Sequence, residues 1–110
     1  MKVMVYIAAP YSSNPDKNVK KALEAADILY ERGYIPFIPH LYHHWHGISP
    51  KPYEDWMEMG AAFLERCDAV LRLPGESPGA DKEVKMAQEL GMPVYFGLDE
   101  VPLVVESSDG

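Results

Sequence analysis

Residues 71–83, Leu-Arg-Leu-Pro-Gly-Glu-Ser-Pro-Gly-Ala-Asp-Lys-Glu, constrain the fold more than any other stretch of the chain. A buried strand runs into a Pro/Gly/Ser turn, and the turn opens directly into a helix, which is one half of a strand–helix crossover unit. The backbone N–H groups of Ser77 to Asp81 are expected at the helix N-terminus, where four donors lack intrahelical partners and the macrodipole is positive. Such an end attracts an anion, a phosphate or a carboxylate. Glu83 is expected in the first turn of the same helix, which sets an acid beside the anion pocket. A turn of this kind also starts helices that bind nothing.

The rest of the chain repeats the alternation. Val3 to Ala8 is a short apolar run of the kind that forms a strand covered on both faces. Asn14, Pro15 and Asp16 supply an N-cap, a proline at the first helical position and an early acid. The helix they start is predicted to reach Arg32, with Val19, Leu23, Ala26 and Tyr30 on one face and Gly33 as its stop. Tyr34 to Ile38 is the second predicted strand, Pro52 to Arg66 the second helix and Ala69 to Leu73 the third strand. Asp81 to Leu90 forms the third helix, ended by Gly91, and Pro93 to Gly97 the fourth strand. Val101 to Val105 is read as a short edge strand or a docked tail.

Strands separated by helices imply right-handed crossovers and a parallel sheet. The expected fold is therefore a single small doubly wound α/β sandwich, Rossmann- or flavodoxin-like, of four to five strands with helices on both faces. Residues 1–106 form that domain and 107–110 a frayed tail. Ligands of such folds bind at the carboxyl ends of the strands, where strand order reverses, so the loops after strands one, two and three are the site candidates.

Composition narrows the partners. The formal net charge of −7 argues against broad binding to nucleic acid or to an anionic membrane. A small anion stays compatible with it, because local backbone dipoles can outweigh the global charge. Cys67 is the single cysteine, which excludes an intrachain disulfide, and there is no signal peptide or apolar run of ~20 residues. A cytoplasmic protein is expected.

The loop after strand two holds all four histidines, His40, His43, His44 and His46, with Tyr42 and Trp45 among them. One reading is a metal site, in which His40 and His44, or His44 and His46, converge on an ion. The other is an aromatic and imidazole wall over a ligand or a subunit interface. No cysteine or suitable carboxylate accompanies the cluster and its spacing matches no closed zinc pattern. A planar, partly apolar lining suits a nucleobase, so His40, His43, His44, Trp45 and His46 are taken as base-pocket candidates, with no metal and no cofactor.

Three segments carry a family resemblance: Val5-Tyr-Ile-Ala-Ala-Pro10, the Cys67-Asp68 pair, and Ser77-Pro-Gly-Ala-Asp-Lys-Glu83. In order and spacing they resemble the nucleoside 2-deoxyribosyltransferase superfamily, which includes the 2′-deoxynucleoside 5′-monophosphate N-glycosidases. The resemblance implies a Tyr on strand one, here Tyr6, and a glutamate nucleophile, here Glu83, that attacks C1′ of the deoxyribose and displaces the base. Against these roles stand core packing for Tyr6 and a helix-dipole complement for Glu83. Six residues before the nucleophile the transferases tend to carry Asp and the monophosphate glycosidases Ser; here it is Ser77. A serine hydroxyl beside free N–H groups accommodates a phosphate that an aspartate would repel. The resemblance leans toward a nucleoside or nucleoside 5′-monophosphate as ligand, contacted by Ala9, Pro10, Ser12, Ser77, Gly79 and Ala80. Ser12 and Ser13 are equally read as capping groups.

Two departures stand out. The resemblance implies a second carboxylate eight residues before Asp68, and that position is Gly60. Glu58 lies ~200° around the helix and does not substitute; Glu54, Asp55 or a histidine of the 40–46 loop are the alternatives as proton donor. Ala9 stands where the family commonly has Gly. Two functions follow: a glycosidase or deoxyribosyltransferase acting through Glu83, or a nucleotide-binding module that kept the fold and lost an acid. A metal-dependent hydrolase built on the histidines is a third.

Self-association is expected as well. Family members are typically dimers or higher, and Trp56, Met57, Met59 and Phe63 make the second predicted helix apolar. A homodimer with that helix in the interface should appear in light scattering; a chain-mass species at micromolar concentration would refute it.

Overall fold

The five apolar residues Met4–Ala8 form the central strand, β1, in a computed structural model that describes residues 2–103. Every side chain of a central parallel strand meets a covered face, which explains a run with no polar residue. β1 pairs in parallel with β2 (Ile35–Phe37) through Met4↔Ile35, Val5↔Pro36 and Tyr6↔Phe37. On its other side it pairs with β3 (Ala69–Arg72), in the register Tyr6↔Val70 and Ile7↔Leu71. β3 in turn pairs with the two-residue β4 (Val94–Tyr95), so the parallel sheet runs β2-β1-β3-β4. Pro36 is tolerated because β2 is an edge strand, where a missing N–H costs no second ladder.

Alternation along β1 divides the core in two. Val5 and Ile7 point to helix α1 (Pro15–Glu31) and meet Ala22, Ala25, Ala26 and Leu29. Tyr6 and Ala8 point to the opposite face, where they meet Leu64 of α3 (Tyr53–Leu64) and Ala80 and Ala87 of α4 (Pro78–Glu89). Helices therefore cover both faces, as the doubly wound reading expects. Asp68 fastens the start of β1: its carboxylate accepts from the Met4 N–H at 2.9 Å, and its own N–H donates to the Met4 carbonyl at 2.8 Å.

The start and stop of α1 follow the local signals. Asn14 Oδ1 accepts from the Lys17 N–H at 3.4 Å, Pro15 occupies the first turn, and Gly33 turns the chain at φ +95°. The predicted buried face is corrected. Val19 and Ala26 are buried, but Leu23 and Tyr30 are 39% and 64% exposed, and the inner stripe is Asn18, Val19, Ala22, Ala25, Ala26 and Leu29. Three alanines let the helix backbone lie close to the sheet, and the bulkier Leu23 and Tyr30 are turned out.

Three further expectations change. The segment predicted as a loop after β2 contains a 3-10 turn, Pro39–Leu41, and a short helix α2, Tyr42–Ile48. It has no side-chain N-cap and few strong helix formers, so tertiary contacts of its aromatic residues must hold it. α4 begins at Pro78, three residues earlier than predicted, which puts Glu83 in its second turn. Residues 101–103 form no strand. They dock, with Val101 buried and the Tyr34 hydroxyl donating to the Pro102 carbonyl at 2.5 Å. Residues 104–105 and the predicted tail 107–110 lie outside the described residues. No helix among the described residues is long and apolar enough to cross a membrane.

The corrected face of α1 has a direct test. Leu29→Ala should cost ~2–5 kcal/mol in urea unfolding and Leu23→Ala well under half of that. Equal losses would mean that the helix is rotated relative to the arrangement described.

Candidate active site

In the order β2-β1-β3-β4 the chain leaves β1 toward one edge and later returns to the other, so the loops after β1 and β3 part. A cavity of about 420 Å³ opens there. Its walls come from the β1–α1 loop (Ala9, Tyr11, Ser12, Ser13), from Pro39 and His40, and from α2 (Tyr42, His43, His46). Tyr53, Trp56 and Met57 of α3, Glu76 to Ala80, and the pair Tyr6 and Glu83 complete it.

Tyr6 and Glu83 are the chemical centre of this cavity. The Tyr6 ring is fully buried and stacks on Phe37 at 5.5 Å, with Phe63 behind Phe37 at 4.5 Å. Its hydroxyl donates to Glu83 Oε2 in a short hydrogen bond. Core packing and polar contact thus coexist in one residue, the ring serving the first and the hydroxyl the second. Burial pushes the Glu83 carboxyl up to about 7, against the Tyr6 hydrogen bond and the Arg72 guanidinium, which both favour the anion. Burial and the neighbouring carboxylate hold the Tyr6 proton well above the usual phenol range. Arg72 also ties the β3–α4 turn together, donating to the Leu73 carbonyl, to the Gly75 carbonyl at 2.8 Å and to Asp81 Oδ1 at 3.0 Å.

The helix start is a narrower anion site than the sequence implies. Pro78 has no N–H, Ser77 Oγ accepts the Ala80 N–H at 3.1 Å, and the Asp81 N–H bonds to the Ser77 carbonyl at 3.0 Å. The Ser77 and Gly79 N–H groups and the Ser77 hydroxyl hydrogen are the donors this helix start has left to offer. Tyr53 adds a further group: a Cβ on Gly79 would stand 2.9 Å from the Tyr53 hydroxyl. On the other side of the cavity Ser13 Oγ accepts from the buried Asn18 Nδ2 at 3.0 Å, so Ser13 braces its loop, while the cap of α1 is Asn14.

The histidines separate. His40 is buried, with Nε2 3.0 Å from the Pro10 carbonyl. His43 bridges the Tyr11 hydroxyl at 2.6 Å and Asp16 at 3.3 Å. His46 Nδ1 accepts from Trp56 Nε1 at 2.8 Å and from the Lys51 N–H at 3.3 Å, which leaves the ring hydrogen on Nε2. No three metal-binding side chains come together among the described residues. Of the base-pocket candidates His40, His43 and His46 line the cavity, while His44 and Trp45 do not. Trp45 packs edge-on behind Trp56 at 5.1 Å with Lys51 over its ring. Pro10 also stays off the wall; it packs under Gly75, where a Cβ would stand 2.8 Å from its Cγ.

Tyr11, Tyr53, Trp56, Met57 and Glu76 line the cavity although the sequence reading assigns them no place there. A signal existed for three of them: Tyr53, Trp56, Met57 and Gly60 follow the i, i+3, i+4, i+7 spacing of one helix face. That stripe belongs to the apolar helix assigned to a dimer interface.

A family model described as a domain of unknown function, DUF7768, matches residues 3–97. The chain belongs to this family. No curated protein matches the sequence. Among solved structures, the DUF7768 chain is similar to a 2-desoxiribosyltransferase from Leishmania mexicana, with TM-score 0.64, 19% identity, and 84% of this chain and 61% of that one covered. It is also similar to a 2-deoxyribosyltransferase from the psychrotolerant bacterium Bacillus psychrosaccharolyticus, with TM-score 0.62, 18% identity, and coverages of 84% and 69%. At such identities the likeness is one of fold. The chain spans less than two thirds of the length of the Leishmania protein.

Gly60 gains a physical meaning in this DUF7768 chain. A Cβ there would stand 2.8 Å from the Tyr6 hydroxyl oxygen and 3.5 Å from Glu83 Oε2. The Tyr6 ring is clamped in the core and cannot retreat, so the bare glycine is what lets the hydroxyl reach the carboxylate. Glu54 and Asp55, the alternatives for the missing acid, do not line the cavity.

The buried carboxyl has a thermodynamic signature. Its folded value lies above the ordinary 4.5, so the folded state binds the proton more tightly, and stability is lost as pH rises from about 4.5 through about 7. Glu83→Gln should therefore be more stable than wild type by ~2 kcal/mol at pH 8 and show little gain at pH 4.5 in urea unfolding. A gain independent of pH would mean that Glu83 titrates normally.

Proposed function

We propose that the cavity cleaves the N-glycosidic bond of a (deoxy)nucleoside or nucleoside 5′-monophosphate, as an N-glycosidase or deoxyribosyltransferase, with Glu83 as nucleophile. The observation that carries this reading is the desolvated Tyr6–Glu83 pair, set in a cavity beside a helix start at the carboxyl end of a parallel sheet. The fold shared with two 2-deoxyribosyltransferases supports it, and the cavity volume lies within the ~300–1,000 Å³ usual for small-molecule sites.

In this reading a Glu83 carboxylate oxygen forms a bond to C1′ while the C1′–N bond breaks and its electron pair leaves with the base. The Tyr6 hydroxyl holds the carboxylate in one orientation. Water, or a second base, then attacks C1′ and releases Glu83. The departing base needs a proton or a hydrogen bond, and with Gly60 bare the His46 Nε2–H is a donor available in the wall. Ser77, Gly79 and Ser12 take the phosphate; Ala9 and Ala80 bound the sugar; Tyr42, Trp56 and the imidazoles face the base. A homodimer acting in the cytoplasm, with no metal or cofactor, completes the proposal.

Gly60 favours a second reading, a nucleotide-binding module without turnover, because no carboxylate occupies the position the resemblance implies for the catalytic acid.

One set of measurements separates the two. In the enzyme reading, chromatography shows free base released from 2′-deoxynucleotides by wild type, and Glu83→Ala or Glu83→Gln lowers release at least ~10³-fold while ligand binding stays near wild type. Release by the free enzyme rises with pH through about 7, because the nucleophile is the ionised carboxylate. A 2′-deoxy-2′-fluoro substrate accumulates as added mass on the peptide bearing Glu83. Binding without any release over long incubation at high protein concentration refutes the enzyme reading and leaves the binding module.

A further inference from the structure

We infer that Trp56 is a positioning residue for the leaving-group step: it holds His46 as a neutral Nε2–H donor, and the departing base receives that hydrogen bond rather than a proton. The inference rests on the reading that the cavity cleaves an N-glycosidic bond.

His46 and Trp56 both line the cavity, His46 from α2 and Trp56 from α3. The Trp56 Nε1–H donates to His46 Nδ1 at 2.8 Å, and the Lys51 N–H donates to the same nitrogen at 3.3 Å. An indole N–H only donates, so Nδ1 must accept and the ring hydrogen lies on Nε2. A second hydrogen on Nδ1 would oppose both N–H groups, which keeps the ring neutral. The indole is itself fixed, packed against Tyr42 at 5.3 Å and edge-on to Trp45 at 5.1 Å. The His46 tautomer is thereby set by α3 and the Lys51 backbone before any ligand arrives.

His46 Nε2 has no partner among the described residues. It is also open to solvent, for the buried side-chain nitrogen or oxygen left unpaired there is His40 Nδ1. The other cavity histidines are engaged: His43 by Tyr11 and Asp16, His40 Nε2 by the Pro10 carbonyl. His46 thus brings one free polar group to the wall, and that group is a donor. When the C1′–N bond breaks, its electron pair moves onto the base, and the Nε2–H hydrogen-bonds the negative charge developing there. The hydrogen stays on His46, and the base takes its proton from water after release.

Such a bond matters most for a base that leaves poorly as an anion, and leaving-group dependence is the test. Base release is followed by chromatography at saturating substrate for two pairs, each offered as nucleoside and as 5′-monophosphate. One pair is 2′-deoxyuridine and its 5-fluoro analogue; the other is 2′-deoxyadenosine and 6-chloropurine 2′-deoxyriboside. The second member of each pair carries the base that is more stable as an anion. In the pair that wild type cleaves, His46→Phe should slow the parent ~10²-fold and the analogue by less than a tenth of that factor. Trp56→Phe keeps an aromatic ring but removes the donor, and should give the same pattern with a parent loss of ~10-fold. His46→Gln restores an amide donor and should recover part of the loss, which keeps the test open if Trp56→Phe fails to fold. ¹⁵N NMR of the imidazole should find Nδ1 unprotonated in wild type. Equal losses on both members of the pair, no recovery with glutamine, or a hydrogen on Nδ1 in wild type overturns the inference. The glycosidase reading survives any of these as long as release still depends on Glu83. No base released by wild type from any of the substrates overturns the enzyme reading and this inference together.

Discussion

The hydrogen bond between the Tyr6 hydroxyl and the Glu83 carboxylate is the contact around which the candidate site is arranged. It requires three elements to agree. β1 must present Tyr6 to the α3/α4 face, Phe37 and Phe63 must hold the ring, and α3 must carry no side chain at position 60. With those conditions met, a carboxylate in the second turn of α4 is removed from water and still has a donor aimed at it. Desolvation then outweighs the donor and the nearby Arg72, and the carboxyl rises toward neutrality.

The same strand explains why a chain of this size builds a site and a core together. The alternation that sends Val5 and Ile7 into the α1 layer sends Tyr6 and Ala8 into the other, so the strand that carries Tyr6 is also the most buried element. Around it the loops are braced by polar contacts to backbone: Arg72 across the β3–α4 turn, Asn18 to the Tyr11 carbonyl and Ser13, and His40 to the Pro10 carbonyl. These braces leave the cavity walls fixed and few of their polar atoms free. The helix start of α4 is an instance: its cap takes the Ala80 N–H that a bare helix would offer to an anion.

Legibility in the sequence follows the range of the interactions. The bounds of β1 and α1 were readable because apolar runs, Asn14-Pro15 and Gly33 act within a few residues of where they stand. The gathering of Glu83, Ser77 and the β1–α1 loop at one end of the sheet was readable from strand–helix alternation and the handedness of crossovers. The face of α1 was not, since large residues such as Leu23 and Tyr30 look apolar in sequence while packing close to a sheet favours alanine. Nor was α2, whose helix is held by aromatic contacts such as Tyr42 with Trp56, ten or more residues along the chain.

From the sequence alone came the parallel α/β class and the gathering of the loops at the strand ends, while the choice of Tyr6 and Glu83 as candidate site residues came from the family resemblance. The first two are matters of periodicity, caps and order along the chain, which local physics reports. The tertiary structure alone decided which partner each histidine takes, that the stripe from Tyr53 to Gly60 faces a cavity, and that Gly60 is room for a hydroxyl. Those depend on atoms brought within a few ångströms by residues far apart in sequence, such as Gly60 against Tyr6 at 2.8 Å, and no spacing rule encodes such a distance.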